Sequence, residues 1–237
     1  MATMIKLHTL GIARTARIGI VATALAVTGA ALPVSVGANG QILCFDRPAT
    51  IIGTSGNDTL TGTQYVDVIV GLGGNDTIDG LADNDFICGG DGDDVIDGGP
   101  NNDTISGDTG NDLVYGGDAR DVLLGGAGHD TIYGEDDDDF IAGWHGDDKL
   151  YGGAGGDEMY AGEGHDLLRG GSGDDALRGG WGSDILKGEG GNDLLRGDEG
   201  SDKLWDTQGL NVFDGGSGGD ACNGLGVFCE TTLVVEP

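Results

Sequence analysis

A chain of 237 residues with 41 Asp and Glu against 11 Lys and Arg carries a formal charge of −30, which argues against nucleic acid and anionic membrane as partners. Glycine reaches 51 residues and aromatics only 5%, a composition that taken in bulk reads as disorder. Yet 38% of the residues are hydrophobic, and they are regularly spaced, so the order in this chain lies in its periodicity.

Lys6, Arg14 and Arg17 precede an apolar run from Ile18 to Leu32, followed by Pro33 and by the small residues Val36, Gly37 and Ala38 ahead of Asn39. A basic end, a short apolar middle and small residues at a cut predict a secretory signal peptide over 1–38. The run is shorter and weaker than the ~20 apolar residues a spanning helix needs, so no membrane span is expected after cleavage and the protein is expected to be extracellular. Residues 39–52 are expected to form an N-terminal cap, with CFDRPATII at 44–52 reading as a strand docked before the first repeat.

From Gly53 the sequence falls into nines: GTSGNDTLT, GTQYVDVIV, GLGGNDTID, GLADNDFIC, GGDGDDVID and so on, through nineteen nonads from 53 to 223 without an insertion. Position six is Asp in every nonad but the eighteenth, where it is Asn211, and position eight is apolar throughout. Positions one to six hold Gly, Asn and Asp, which tolerate positive φ and form tight turns. Positions seven to nine hold Val, Ile, Leu, Thr and Tyr, which favour strand, with position eight on one face and seven and nine on the other. Two nonads then make one coil, and stacked coils place parallel strands about 4.8 Å apart around a thin core of position-eight side chains. The fold class is therefore all-β, a parallel solenoid of about nine to ten coils over 53–223. Residues 224–237, with the strand-like TTLVV, are expected to cap its far end.

The nonad resembles the RTX (repeats-in-toxin) calcium-binding repeat, GGxGxDxUx. What the resemblance implies is a parallel β-roll with Ca²⁺ held between successive turns on the same edge, by position-six carboxylates and turn carbonyls. The residue chemistry agrees: Ca²⁺ takes six to eight oxygens, which such turns supply, and stacked carboxylates without a cation repel. Turns alternate between two edges, so odd and even nonads form separate ladders. Candidate ligands on the odd edge are Asp58, Asp76, Asp94, Asp112, Asp130, Asp148, Asp166, Asp184, Asp202 and Asp220, and on the even edge Asp157, Asp175 and Asp193. Asp67, Asp85, Asp103, Asp121, Asp139 and Asn211 are weaker candidates. Five of their turns replace the usual position-four glycine by Tyr65, Asp83, Asn101, Ala119 or Asp137, and the sixth lacks the acid. The expectation is about 11 calcium ions, up to about 17, at one ion per gap between competent turns.

Four cysteines in a secreted chain suggest two disulfides with three possible connectivities, of which Cys44–Cys88 and Cys222–Cys229 are favoured. His129, His145 and His165 all lie in odd turns, but at positions five, three and five, so solvated turn residues are expected before a transition-metal site. Gly215–Gly219 matches G-x-S-x-G formally, without the strand-to-helix elbow that would make it a nucleophile. Tyr115, Tyr133 and Tyr151 stand at position nine of successive odd nonads and are expected to stack along one sheet. Sheet stabilisation is the plain reading of that ladder, and a glycan or cell-surface ligand the sharper one. Larger RTX proteins carry catalytic or pore-forming domains beside the roll. Here signal and repeats take nearly the whole length, so no enzyme is expected. The function expected is that of a secreted calcium-binding protein whose roll is folded and stabilised by Ca²⁺.

Overall fold

The computed structural model describes residues 34–37 and 40–224, and every regular element among them is a strand. Odd nonads build one parallel sheet and even nonads the other. Within each sheet a residue pairs with the one a full coil away: Ile105 with Leu123 and Leu123 with Ile141 on the even side, Val114 with Ile132 and Ile132 with Leu150 on the odd side. This is the all-β parallel β-roll expected from the nine-residue period.

The core arises from the same period. Position-eight side chains, among them Ile78, Ile96, Leu123, Ile141, Leu150, Leu168 and Leu204, are buried in a single line of contact between the two sheets. Each is worth roughly 1.5–3 kcal/mol of burial. The strands run longer than the three residues expected. Leu113–Asp118 and Thr131–Asp136 span positions seven to nine and continue through one to three. Pairing passes from Tyr115–Tyr133 to Gly117–Glu135, skipping position one, so the ladder bends at that glycine and resumes.

Position four has positive φ from the third nonad onward, also where it is not glycine: Asp83 (74°), Asn101 (86°), Ala119 (80°) and Asp137 (78°). Position two does so in many turns as well, which the sequence pattern conceals because Leu72 (82°), Leu81 (77°) and Trp144 (80°) stand there. Each bulky residue in that region costs on the order of 1–2 kcal/mol, so the stacking of neighbouring coils imposes the conformation.

The N-terminal cap differs from expectation in place. Strands β1 (Val34–Val36), β2 (Ile42–Cys44) and β3 (Arg47–Pro48) form a small antiparallel sheet, while β4 (Ile51–Ile52) is already the first strand of the even sheet, parallel to Val68–Gly73. The small sheet packs against the outer face of the even sheet. Cys44 clusters with Val68, Val70 and Cys88, flanked by Val34, Ile42, Phe45 and Phe86. The reason lies in the outward positions of the second and fourth nonads, which are Val68, Val70, Phe86 and Cys88 and leave an apolar surface to cover. A disulfide joins Cys44 to Cys88, with Cα atoms 6.0 Å apart, and the Arg47 guanidinium lies 3.9 Å from the centre of the Phe86 ring. β1 falls on the N-terminal side of the expected cut after residue 38. At the other end Ala221–Asn223 pairs with Lys203–Trp205, and Cys222 is disulfide-bonded. Cys229, the TTLVV segment and most of the expected signal peptide lie outside the described residues.

Candidate metal sites

The position-six carboxylates are bound at one oxygen and open at the other. Oδ1 accepts a hydrogen bond from the position-six N–H one coil earlier. Asp112 N–H donates to Asp130 at 2.9 Å and Asp130 to Asp148 at 2.8 Å on the odd edge, Asp121 to Asp139 at 2.8 Å and Asp139 to Asp157 at 2.9 Å on the even edge. Oδ2 is buried without a hydrogen-bond partner in sixteen of the nineteen nonads, namely in Asp76, Asp85, Asp94, Asp103, Asp112, Asp121, Asp130, Asp139, Asp148, Asp157, Asp166, Asp175, Asp184, Asp193, Asp202 and Asp220. An orphaned buried carboxylate oxygen is costly, and a row of them demands a common explanation.

These orphan oxygens face small oxygen-lined spaces between coils. A Cβ placed on Gly98 would come 2.6 Å from Asp103 Oδ2 and 2.7 Å from the Gly116 carbonyl oxygen. On the odd edge a Cβ on Gly125 would meet Asp130 Oδ2 and, at 2.9 Å, the Gly143 carbonyl oxygen. Position one is accordingly glycine in every nonad but the thirteenth and eighteenth, which carry Ala161 and Asp206. Among the described residues no three His, Cys, Asp or Glu side chains converge, so each space offers a carboxylate plus backbone oxygens. Such a donor set suits a hard cation with many oxygen ligands, and no soft-metal ligand enters it.

The carboxyls carry the mark of this burial. Desolvation pushes Asp112, Asp121, Asp139, Asp148 and Asp175 up to about 8. The hydrogen bond from the preceding coil pulls each back, and neighbouring carboxylates push it further up. The ladder therefore requires a proton or a cation at neutral pH.

Profiles of the RTX calcium-binding nonapeptide repeat (4 copies) match this chain in overlapping stretches from residues 52–87 to 187–222. The chain belongs to the RTX calcium-binding nonapeptide repeat family. Its repeats are of a calcium-binding, non-enzymatic type, and the oxygen-lined spaces fit that ion. A search of curated proteins finds no match.

Within this RTX roll the two edges differ less than position four suggests. Asp85, Asp103, Asp121 and Asp139, in the turns without glycine, are buried like Asp157 and Asp175 and present the same orphan oxygen. The turns that do differ are the first two. Asp58 Oδ2 accepts from the Thr54 N–H at 2.6 Å and its hydroxyl at 2.8 Å, and Asp67 Oδ2 accepts from the Thr63 N–H at 2.7 Å and its hydroxyl at 2.8 Å. Threonine at position two, which the repeat pattern gives no reason to single out, closes these turns from within. Asn211, in the eighteenth nonad, accepts the Asp193 N–H at 2.8 Å in the manner of the aspartates.

A second ladder has no counterpart among the expectations from sequence. On the odd edge, position-five side chains accept the position-five N–H of the following coil, the opposite direction to position six. Asn111 accepts from His129 at 2.9 Å, His129 Nδ1 from Asp147 at 2.7 Å, Asp147 from His165 at 2.8 Å and His165 Nδ1 from Ser183 at 2.9 Å. Its signal in the sequence is faint: position five of the odd nonads is Asn, Asp, His or Ser in every turn from Asn57 to Ser201, a set united only by a side-chain acceptor. His129 and His165 are thus struts between turns, while His145 sits 3.4 Å from Glu163. The tyrosines do stack: Tyr115 and Tyr133 have ring centroids 5.2 Å apart, Tyr133 and Tyr151 4.7 Å, both pairs within 9° of parallel. Their faces are taken by one another, and the Arg169 guanidinium continues the row at 6.0 Å from Tyr151.

Proposed function

We propose that this chain is an extracellular protein whose β-roll folds around calcium held between successive turns on both edges. The observation that carries the reading is the unbroken row of buried, unpartnered Oδ2 atoms from Asp76 to Asp202, lying beside backbone carbonyls of the next coil. The ligands proposed are these position-six carboxylates, including Asp85, Asp103, Asp121 and Asp139, together with turn carbonyls. Asp58 and Asp67 are proposed as end turns whose threonines do the work of the ion. One ion per gap between open turns gives about 14 ions, within the range expected from sequence. Bound calcium supplies the positive charge and the multiple oxygen contacts that let these carboxylates stay ionised while buried.

Secretion is proposed from the basic and apolar pattern of residues 1–38, with release of the chain from Asn39 onward. N-terminal sequencing of the exported protein tests it, and an intact Met1 would overturn it. The calcium reading is tested by far-ultraviolet circular dichroism in chelator and then in excess calcium, with ions counted by native mass spectrometry. The β signal is expected to grow steeply with calcium, as binding to the folded state alone requires. An equally folded roll in chelator at neutral pH would overturn the coupling.

A further inference from the structure

The eighteenth nonad, DTQGLNVFD, departs from the repeat twice: Asn211 replaces the acid at position six, and Asp206 replaces the small residue at position one. The two departures are connected in space. Asn211 Oδ1 accepts the Asp193 N–H at 2.8 Å, and its Nδ2 donates to the Gln208 carbonyl at 2.6 Å, so both ends of the amide are engaged within the protein. The nonad keeps the strut and gives up the anion at that position.

Asp206 supplies an anion elsewhere. It is only 3% exposed; its Oδ1 accepts the Gln208 N–H at 2.8 Å, and its Oδ2 has no partner. Asp193, one coil earlier, is 2% exposed; its Oδ1 accepts the Asp175 N–H at 3.0 Å, and its Oδ2 has no partner either. The two free oxygens face one spot, because a Cβ on Gly188 would touch both. At other position-one glycines the second neighbour is a carbonyl oxygen of the next coil, as for Gly98 and Gly125. Here a carboxylate takes that place. Among the described residues neither acid has a Lys, Arg or His partner. Two unpaired carboxylates converging in a buried space are held there only by a shared proton or a cation.

We propose that Asp193 and Asp206 form a divalent-cation site of their own, in which a position-one carboxylate replaces the one lost at position six. The proposal rests on the calcium reading of the repeats and adds a ligand that the repeat pattern does not contain. Two carboxylates on one ion restore the charge count that two position-six aspartates bring to a repeat gap, and affinity for Ca²⁺ falls when that count falls. The site therefore fills as a repeat gap does, although its own turn lacks the position-six acid, and it fixes the turn between Trp205 and Val212 to the coil before it.

The test is calcium binding to the full chain, read by native mass spectrometry and calorimetry with Ca²⁺ as the only probe, for wild type, Asp206→Asn, Asp206→Gly and the double variant Asp206→Gly with Asn211→Asp. Asp206→Asn is expected to lose one ion while the remaining sites keep their affinity. Asp206→Gly, which restores the repeat's own glycine and so retains the turn, is expected to do the same. The double variant, returning the acid to position six, is expected to regain the ion. If both single variants bind as many ions as wild type with the same affinities, the pair holds a proton and the proposal fails, while the repeat sites stand. If wild type binds no calcium, both fall together.

Discussion

Replacing one ladder aspartate by asparagine separates its two duties and should change stability in opposite directions with and without calcium. Asp148 has both duties. Its Oδ1 accepts the Asp130 N–H at 2.8 Å, which an amide oxygen can continue to do, as Asn211 does for Asp193 at 2.8 Å. Its Oδ2 has no partner, and burial, then the neighbouring Asp130, Asp166 and Asp147, hold the carboxyl up at about 8 against 3.8 for a free one. In chelator at about pH 7.5 the folded wild type must keep a proton there. At about 1.4 kcal/mol per pKa unit that is up to about 5 kcal/mol, which the amide removes. The amide's own buried NH₂ costs about 1–3 kcal/mol back, leaving a net gain of about 2 kcal/mol for Asp148→Asn without calcium. In excess calcium the variant has lost an anionic ligand and should be less stable by about 3 kcal/mol, the scale for breaking a buried charge pair. By circular dichroism the variant should then show a stronger β signal than wild type in chelator, and a melting midpoint in calcium lower than wild type by roughly 6–12 °C. An equal loss under both conditions would mean that the carboxylate acts through its hydrogen bond alone.

In chelator the raised carboxyls bind protons in the folded state, so the penalty is absent below about pH 4 and grows as pH rises toward 8; the β signal should strengthen as pH is lowered from 8 to 5, measured by circular dichroism, and this dependence should flatten in calcium. Ala119→Gly relieves a φ of 80° and should stabilise the roll by about 1 kcal/mol in a denaturant titration. His129→Leu removes the acceptor of the Asp147 N–H and should cost about 1 kcal/mol, whereas His129→Asn should be near neutral by the same titration. Reduction of Cys44–Cys88, which closes a loop of sequence separation 44, should cost up to about 4 kcal/mol and expose the outer face of Val68–Gly73 to hydrogen exchange.

Much of this architecture is legible in the sequence because the chain repeats one decision nineteen times. Position eight and position six announce themselves through residue type, and a β-roll with stacked acids results from their spacing. What stays hidden depends on contacts between coils. Positive φ at position two is imposed by stacking strongly enough to hold Leu72 and Trp144 there, so residue preference gives no warning. Grading turns by their position-four glycine overstates the difference between edges for the same reason, since Ala119 is held in the required conformation. The exceptions Thr54, Thr63 and Asp206 look like ordinary substitutions in a variable repeat, and acquire meaning only when the carboxylate beside them is located. The cap reads as an end piece in sequence because nothing there shows that Val68, Val70, Phe86 and Cys88 leave a face uncovered; packing places β2 over them.

The two opposed ladders also set a rule for how such a chain can change length. Position-five side chains reach forward one coil and position-six side chains reach back one coil, always across 18 residues, and nothing in the interior senses how many coils lie beyond its neighbours. The roll behaves like a one-dimensional crystal whose unit cell is a pair of nonads. Excising residues 107–124 removes one cell and leaves every surviving register intact. Excising 107–115 alone is a half-cell dislocation: it transfers everything downstream to the opposite sheet, sets Tyr133 in line with Ser106, and moves Asp193 and Asp206 to the other edge. Gene-level gain or loss of repeats in this architecture is therefore quantised in pairs, and an odd change is a fault that runs through the rest of the molecule.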